Sequence, residues 1–362
     1  MRSPTLAKTS VGKESSLLCD DVTEAIGNVP IVRLNRLHHL CQTHNLYLKL
    51  ESCLPSGSIK DKNAAYLVKD AEKNGFITPG STIVESSSGN FGIALATVGA
   101  ARGYQVIIVV DAKTPFPTRR MLQAYGAKLV DVPLEAADTH GSMQIARMQK
   151  AQELASQIPG AWYPCQHTNP RNTDVHEILT AREIEMAFGG APDAIAIGVS
   201  TAGQLAGISR YFREKYPQTR LIAVDIAGST IFGTPPHAYK MTGLGLSFVP
   251  PNFEDKMLDI AYTVSDRLAF SVCHALARQE GLLLGGSTGA IVAAALADAS
   301  RYQTPQQMLL LNPDRGDRYL ETIYNPTWLE AQGIELFSSS QIVAAIAALN
   351  PVIVRGLSDN SQ

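Results

Sequence analysis

From Val29 onward, short apolar runs alternate with longer helical stretches, and this alternation narrows the fold more than any other property of the chain. "LYLKLE" (46–51) has the period-2 pattern of a strand. "STIVESSSGNFGIALATVGAARG" (81–103) reads as a short apolar strand, a Gly/Ser turn and an Ala-rich helix, and "QVIIVVD" (105–111) is a β-branched run suited to burial on both faces. The order continues with a helix at 117–127 ending at Gly126, a strand at 127–132, a helix at 141–160 and a strand in "AWYPCQ" (161–166). Next come a helix at 174–190, a strand at 193–200, a helix at 202–217 and a strand at 220–228. Helices at 265–281 and 289–303 and a strand in "QMLLLN" (307–312) close the pattern, and "SSSQIVAAIAALNPVIVRG" (338–356) offers one more helix. Strands alternating with helices predict an α/β protein with doubly wound, mostly parallel sheets. A chain of 362 residues exceeds one ordinary core, so two lobes are expected.

Several function classes are disfavoured. The formal net charge is −2, with no basic surplus to recommend nucleic acid or an anionic membrane. The first 20 residues are polar and aperiodic, without a secretory apolar core, and no apolar run is long enough to predict a membrane span. Five cysteines (Cys19, Cys41, Cys53, Cys165, Cys273) form no C-x-x-C motif, so a reducing, cytoplasmic setting is expected and a zinc site is not. The adjacent His38 and His39 diverge at a helix end and read as surface residues, and no metal is expected.

Three strand-to-helix turns share one chemistry: "ESSSGNFG" (85–92), "GVSTAGQLAG" (198–207) and "GGSTGA" (285–290). Each is built of Gly, Ser and Thr and opens an Ala-rich helix, whose first N–H groups lack partners. Together these make an anion cradle at the carboxyl edge of a sheet. One such turn alone is ordinary in any α/β protein; three are not. Neither G-x-G-x-x-G nor G-x-x-x-x-G-K-[ST] follows a strand, and "TGLGLS" (242–247) has only the first two glycines.

Lys60, in "LPSGSIKDK" (54–62), stands where a helix is about to start, a place that disfavours a cation. Either it is an exposed lysine that costs little, or its amine acts uncharged. A small phosphorylated aldehyde, pyridoxal phosphate, would use both the lysine and an N–H nest.

The motifs "PSGSIKDK", "SSSGNFGIALA", "STAGQLAG" and "GGSTGA" resemble, in order and spacing, the pyridoxal phosphate enzymes related to cysteine synthase and the tryptophan synthase β-chain, over about residues 21–328. The resemblance implies the tryptophan synthase β-like fold, with a smaller mobile domain (52–163), a larger cofactor-binding domain (21–51 with 164–330) and a homodimer; it does not cover the polar, aperiodic stretch read as a flexible arm (1–20) or a C-terminal extension (331–362). It implies that Lys60 holds the cofactor covalently and moves the substrate proton, and that Asn90 meets the ring hydroxyl. Ser87, Ser88, Gly89 and Asn90 would grip the substrate carboxylate, Ser200, Thr201, Ala202, Gly203 and Gln204 the phosphate, and Ser287 the pyridine nitrogen.

The chain departs from the cysteine synthase pattern at Ser87 (threonine there), at Ser200–Gln204 (G-T-G-G-T there), at Lys62 (arginine there) and at Gln166-His167 (Gln-Phe there). With "VDIAGSTIFG" (224–233) and "NPDRGDRYLETIYNPTWLE" (312–330), these departures resemble a narrower group, the N-(2-amino-2-carboxyethyl)-L-glutamate synthases of 2,3-diaminopropionate and siderophore biosynthesis. In that group a tyrosine commonly stands at the place of His167. The resemblance implies that O-phospho-L-serine and L-glutamate are joined through an aminoacrylate. Sulfide addition, as in a cysteine synthase, is the alternative. Arg147, Arg315 and Arg318 are candidates for anion binding, against solvated or locally paired arginines, and His167 is a candidate pocket wall, against a structural histidine.

Overall fold

The computed structural model describes residues 18–37, 44–137 and 143–355. Most of the expected arm, together with His38, His39 and Cys41, lies outside those residues. The strands are β1 (Ile31–Arg33), β2 (Asn45–Leu50), β3 (Thr82–Ser86), β4 (Gln105–Asp111), β5 (Lys128–Val132), β6 (Ala194–Gly198), β7 (Arg220–Ile226), β8 (Ile260–Val264), β9 (Gln307–Asn312) and β10 (Ile353–Val354). They form a seven-stranded sheet, ordered β1-β2-β9-β6-β7-β8-β10, and a three-stranded sheet, β3-β4-β5. The smaller sheet is all parallel. In the larger sheet only the edge strands β1 and β10 run antiparallel to their neighbours.

Helices cover both faces of each sheet, as continuous apolar strands require. They are α1 (Lys60–Lys73), α2 (Asn90–Arg102), α3 (Phe116–Ala124), α4 (Gln144–Gln157), α5 (Arg171–Val175), α6 (Ala181–Phe188), α7 (Gly203–Lys215), α8 (Asp266–Ala275), α9 (Gly286–Ala299), α10 (Pro326–Ala331) and α11 (Ser339–Ala347). Along β9, Met308 and Leu310 pack with α8 and α9, while Leu309 and Leu311 pack with α6 and α7. All fourteen residues of α9 are buried, as its Gly/Ala-rich, all-round apolar sequence demands. A Cβ at Gly289 would overlap the carbonyl of Ala269 on α8, so the two helices meet backbone to backbone. In the small sheet, Val84 and Val109 face Ala151 of α4, Ile83 packs with α1 and α2, and Ile108 packs with Leu122 of α3.

Three expectations change. "AWYPCQ" is not a strand. Trp162 exchanges backbone hydrogen bonds with Thr82 and Val84, at 2.9 Å each, but Pro164 has no N–H to continue and Cys165 has a left-handed φ of 51°. The helix expected at 174–190 begins at Arg171 and contains a π-helical turn, His176–Thr180, between α5 and α6. The chain end carries more than a helix: α11, with a capping box at Ser338 and Gln341, packs on α8 and α9, and β10 extends the larger sheet.

Lys62 is fully buried in a four-charge cluster. Its amine lies 2.9 Å from Glu51 and 2.7 Å from Glu183, which also pairs with Lys49. Two cations and two carboxylates offset each other, so the cluster ties α1 to β2 and α6 without leaving a bare buried charge.

Candidate active site

Lys60 is the first residue of α1, at the end of a turn held in place from both sides. Gly57, at φ 85°, closes it through its N–H to the Leu54 carbonyl (2.7 Å). The segment after β9 is sewn along it: Ile59 N donates to Pro313 O (2.8 Å) and Arg315 N to Gly57 O (3.1 Å). Asp61 reaches back to accept from the N–H (2.6 Å) and hydroxyl of Ser56. The Lys60 side chain is partly accessible, yet its amine stands among enough protein for burial to lower its pKa to about 8. The alternative of a solvated surface lysine does not hold.

The turn after β3 places Ser87 in the role of a capping residue. Its Oγ accepts from Gly92 N at 2.9 Å, at the start of α2, and Ser88, Gly89 and Asn90 are half-buried beside it. Asn90 donates through Nδ2 to Asp314 (2.8 Å) and accepts from Arg318 through Oδ1. Arg318 also donates to the carbonyl of Ser56 and is buried, so it is no solvated surface arginine. Arg315 is half-exposed and its nearest acidic partner, Asp317, is 3.8 Å away.

The turn after β6 holds Ala202 in the left-handed region (φ 61°, ψ −3°) just before α7. The backbone of Gly203 comes close enough to Asn172 that a Cβ would stand 2.9 Å from its carbonyl. The turn after the segment that follows α8 buries Ser287. A Cβ at Gly243, in the "TGLGLS" loop with φ 89°, would stand 4.0 Å from the Ser287 hydroxyl.

Arg147 is buried on α4, its Nε 3.1 Å from Asp111, and its Nη1 has no hydrogen-bond partner. The solvated helix-face alternative for Arg147 is overturned. His167 is buried against the amide of Gln144, and burial, then the nearby charges of Arg147 and Lys60, lowers its pKa to about 4. Its imidazole is therefore neutral near pH 7. Arg147, His167 and Lys60 converge on one region, from α4, the 161–170 segment and α1. Glu85 stands behind them, fully buried, with its pKa raised to about 8 by burial. It accepts from Ser86 N (2.7 Å) and Gln166 N (3.3 Å).

Sequence reasoning missed Glu85, Asp314 and Asn172. Glu85 and Asp314 stand within quoted motifs, but only long-range contacts give all three their roles. A groove of about 590 Å³ elsewhere, lined by Asp21, Tyr66 and Arg102 among others, contains no residue of the three strand-to-helix turns. Among the described residues no cluster could hold a metal ion, and no helix is long and apolar enough to cross a membrane.

Pyridoxal phosphate fits these residues. The Gln204 amide nitrogen is buried without a partner in the first turn of α7, where helix N–H groups favour a phosphate, and Lys60 supplies an easily deprotonated amine. Residues 22–314 match the family described as pyridoxal-phosphate dependent enzyme, and the chain belongs to it. It is a pyridoxal phosphate-dependent β-replacement synthase. The chain is 36% identical over 316 residues (86% of it, 92% of the relative) to the N-(2-amino-2-carboxyethyl)-L-glutamate synthase of Cupriavidus metallidurans. It is 35% identical over 335 residues (92% and 97%) to the enzyme of the same name from Ralstonia nicotianae. A crystal structure of O-ureido-L-serine synthase superposes with a TM-score of 0.79 at 34% identity, covering 90% of this chain and 99% of that one.

Proposed function

We propose that this enzyme joins O-phospho-L-serine and L-glutamate to give N-(2-amino-2-carboxyethyl)-L-glutamate and phosphate, the reaction product named for its relatives in Cupriavidus and Ralstonia. The Cβ–O bond of the first amino acid breaks and a Cβ–N bond to the glutamate amine forms. The observation that carries the reading is Arg147, a buried guanidinium with an N–H free of hydrogen bonds, beside a neutral His167 and within electrostatic reach of Lys60. A dicarboxylate acceptor needs such a cation, whereas sulfide does not.

Bound pyridoxal phosphate would supply the aldehyde that captures the substrate amine and the conjugated ring that acidifies Cα. Lys60 Nζ would take the proton from Cα and return one after replacement at Cβ, a task suited to an amine whose pKa is near 8. Ser87, Ser88, Gly89 and Asn90 would hold the α-carboxylate, with Asn90 also meeting the ring hydroxyl. Ser200–Gln204 would hold the cofactor phosphate, and Ser287 would offer the ring nitrogen a neutral hydroxyl. Residues 52–163 would close over the substrate and exclude water. A homodimer in a reducing cytoplasm completes the reading, in keeping with free thiols at Cys19, Cys53, Cys165 and Cys273.

Mass spectrometry of the product from O-phosphoserine and glutamate, with sulfide offered in competition, tests the proposal. A carbon–nitrogen adduct is expected. Cysteine as the main product would overturn it.

A further inference from the structure

Behind Thr201 stands a chain of buried polar side chains drawn from three segments. Asn172 comes from α5, Asn63 from α1, one turn past Lys60, and His176 and Thr180 from the two ends of the π-helical turn. None of the four is more than 1% exposed. Their hydrogen bonds have a definite direction. Asn63 Nδ2 lies 3.2 Å from the backbone oxygen of Asn172, and Asn172 Nδ2 lies 3.1 Å from that of Gln166. A carbonyl only accepts, so both amides are fixed in orientation.

The remaining bonds follow from that. Asn63 Nδ2 has two protons: one is shared between the backbone oxygen and Oδ1 of Asn172 (3.2 and 2.6 Å), and the other points to His176 Nε2 (3.1 Å). The imidazole must then carry its proton on Nδ1, which faces Thr180 Oγ1 at 3.1 Å. Burial and the charges of Lys60 and Lys62 hold the pKa of His176 well below its ordinary value, so the ring stays neutral. At the other end Asn172 Nδ2 donates to Thr201 Oγ1 at 3.4 Å.

We propose that the chain Thr180–His176–Asn63–Asn172 acts as a positioning network that makes the Thr201 hydroxyl a donor. With its oxygen already accepting from Asn172, the hydroxyl turns its proton toward bound phosphate. The same bonds couple the helix that begins at Lys60 to the phosphate turn. This inference rests on the assignment of Ser200–Gln204 to the cofactor phosphate.

The test uses the full-length chain stripped of cofactor and titrated separately with pyridoxal phosphate and with pyridoxal, followed by fluorescence and absorbance. Asn172→Asp places an acceptor where a donor stood and draws the Thr201 proton away from the phosphate. The preference for the phosphorylated form should fall about 10- to 100-fold, the size of one hydrogen bond to a charged group, while pyridoxal affinity stays unchanged. Thr201→Val should lose a similar factor, and the double variant no more than either alone. An unchanged preference in Asn172→Asp, equal weakening for both ligands, or losses that multiply would overturn the network. If the aspartate variant does not accumulate folded, Asn172→Ala decides: a drop of roughly threefold that vanishes in the Thr201→Val background supports it, and a persisting drop overturns it. A wild-type chain with no preference for the phosphorylated form would instead overturn the cofactor assignment itself, and the network with it.

Discussion

The turns Ser200–Gln204 and Ser87–Asn90 are made of similar residues, yet they are held in different ways. The first follows β6, well inside the seven-stranded sheet; Thr201, Ala202 and Gly203 are buried, and neutral amides and a neutral imidazole stand behind them. The second follows β3 of the small sheet, and three of its four residues are half-buried. Its hydroxyl at Ser87 makes one firm bond, to Gly92 N, and Asn90 is held by Asp314 and Arg318, which follow β9 of the other sheet. A turn backed by fully buried neutral side chains suits a permanent ligand. A turn held across the two sheets can release and re-form those contacts, which suits a substrate that comes and goes.

Replacing Lys60, the first residue of α1, should have the largest effect. Lys60→Ala removes the proposed covalent anchor and proton carrier, so product formation should fall by at least about a thousandfold. The turn Ser200–Gln204, if it holds the phosphate as proposed, should keep its affinity for inorganic phosphate in that variant. A fall in turnover of less than tenfold, measured by product mass spectrometry, would remove Lys60 from the centre of the site.

Seven strands, β2 to β7 and β9, were legible as short apolar runs set between helical stretches, and each quoted turn does precede a helix; β1, β8 and β10 were not anticipated. The failures have physical causes. In 161–166 two backbone bonds form as a strand would, and Pro164 and Cys165 then stop the pairing. A π-helical turn adds one residue to the helical repeat without changing its residue types, so nothing in 176–180 announces it. Arg147 looked solvated because α4 is polar on most of its surface; burial came from Asp111 and the 161–170 segment, both distant in sequence. Asn172 and Asp314 matter through partners more than 100 and 200 residues away, which no local pattern encodes.

Ionisation should separate the two turns next. The turn proposed for the phosphate is backed by neutral groups, whereas Glu85 stands at the root of the other with a folded pKa near 8. Because that value is raised, the unfolded chain releases its proton first, and stability falls as pH climbs from about 4.5 toward 8. Glu85→Gln lacks this dependence. Its stability in urea should gain on the wild type by on the order of 4 kcal/mol between pH 4 and pH 9, the sum of the shift in pKa units. Parallel stability curves would mean that Glu85 is ionised in the folded protein and that Arg147 offsets its burial.

Ala202 gives the smallest and most local test. Its backbone occupies the left-handed region, which costs a residue with a Cβ about 1 kcal/mol, and the resemblance to cysteine synthases puts a glycine at this place. Ala202→Gly relieves that strain but adds freedom to the unfolded chain, so a net gain of roughly 0.5 kcal/mol is expected, seen as a rise of about 1 °C in Tm. Affinity for pyridoxal phosphate should stay within about twofold, because on the proposed assignment the buried network behind Thr201 holds the turn in shape. If glycine instead weakens cofactor binding tenfold while stability is unchanged, the alanine methyl, and not the network, is what keeps the turn in shape, and the contrast with the half-buried turn after β3 loses its basis.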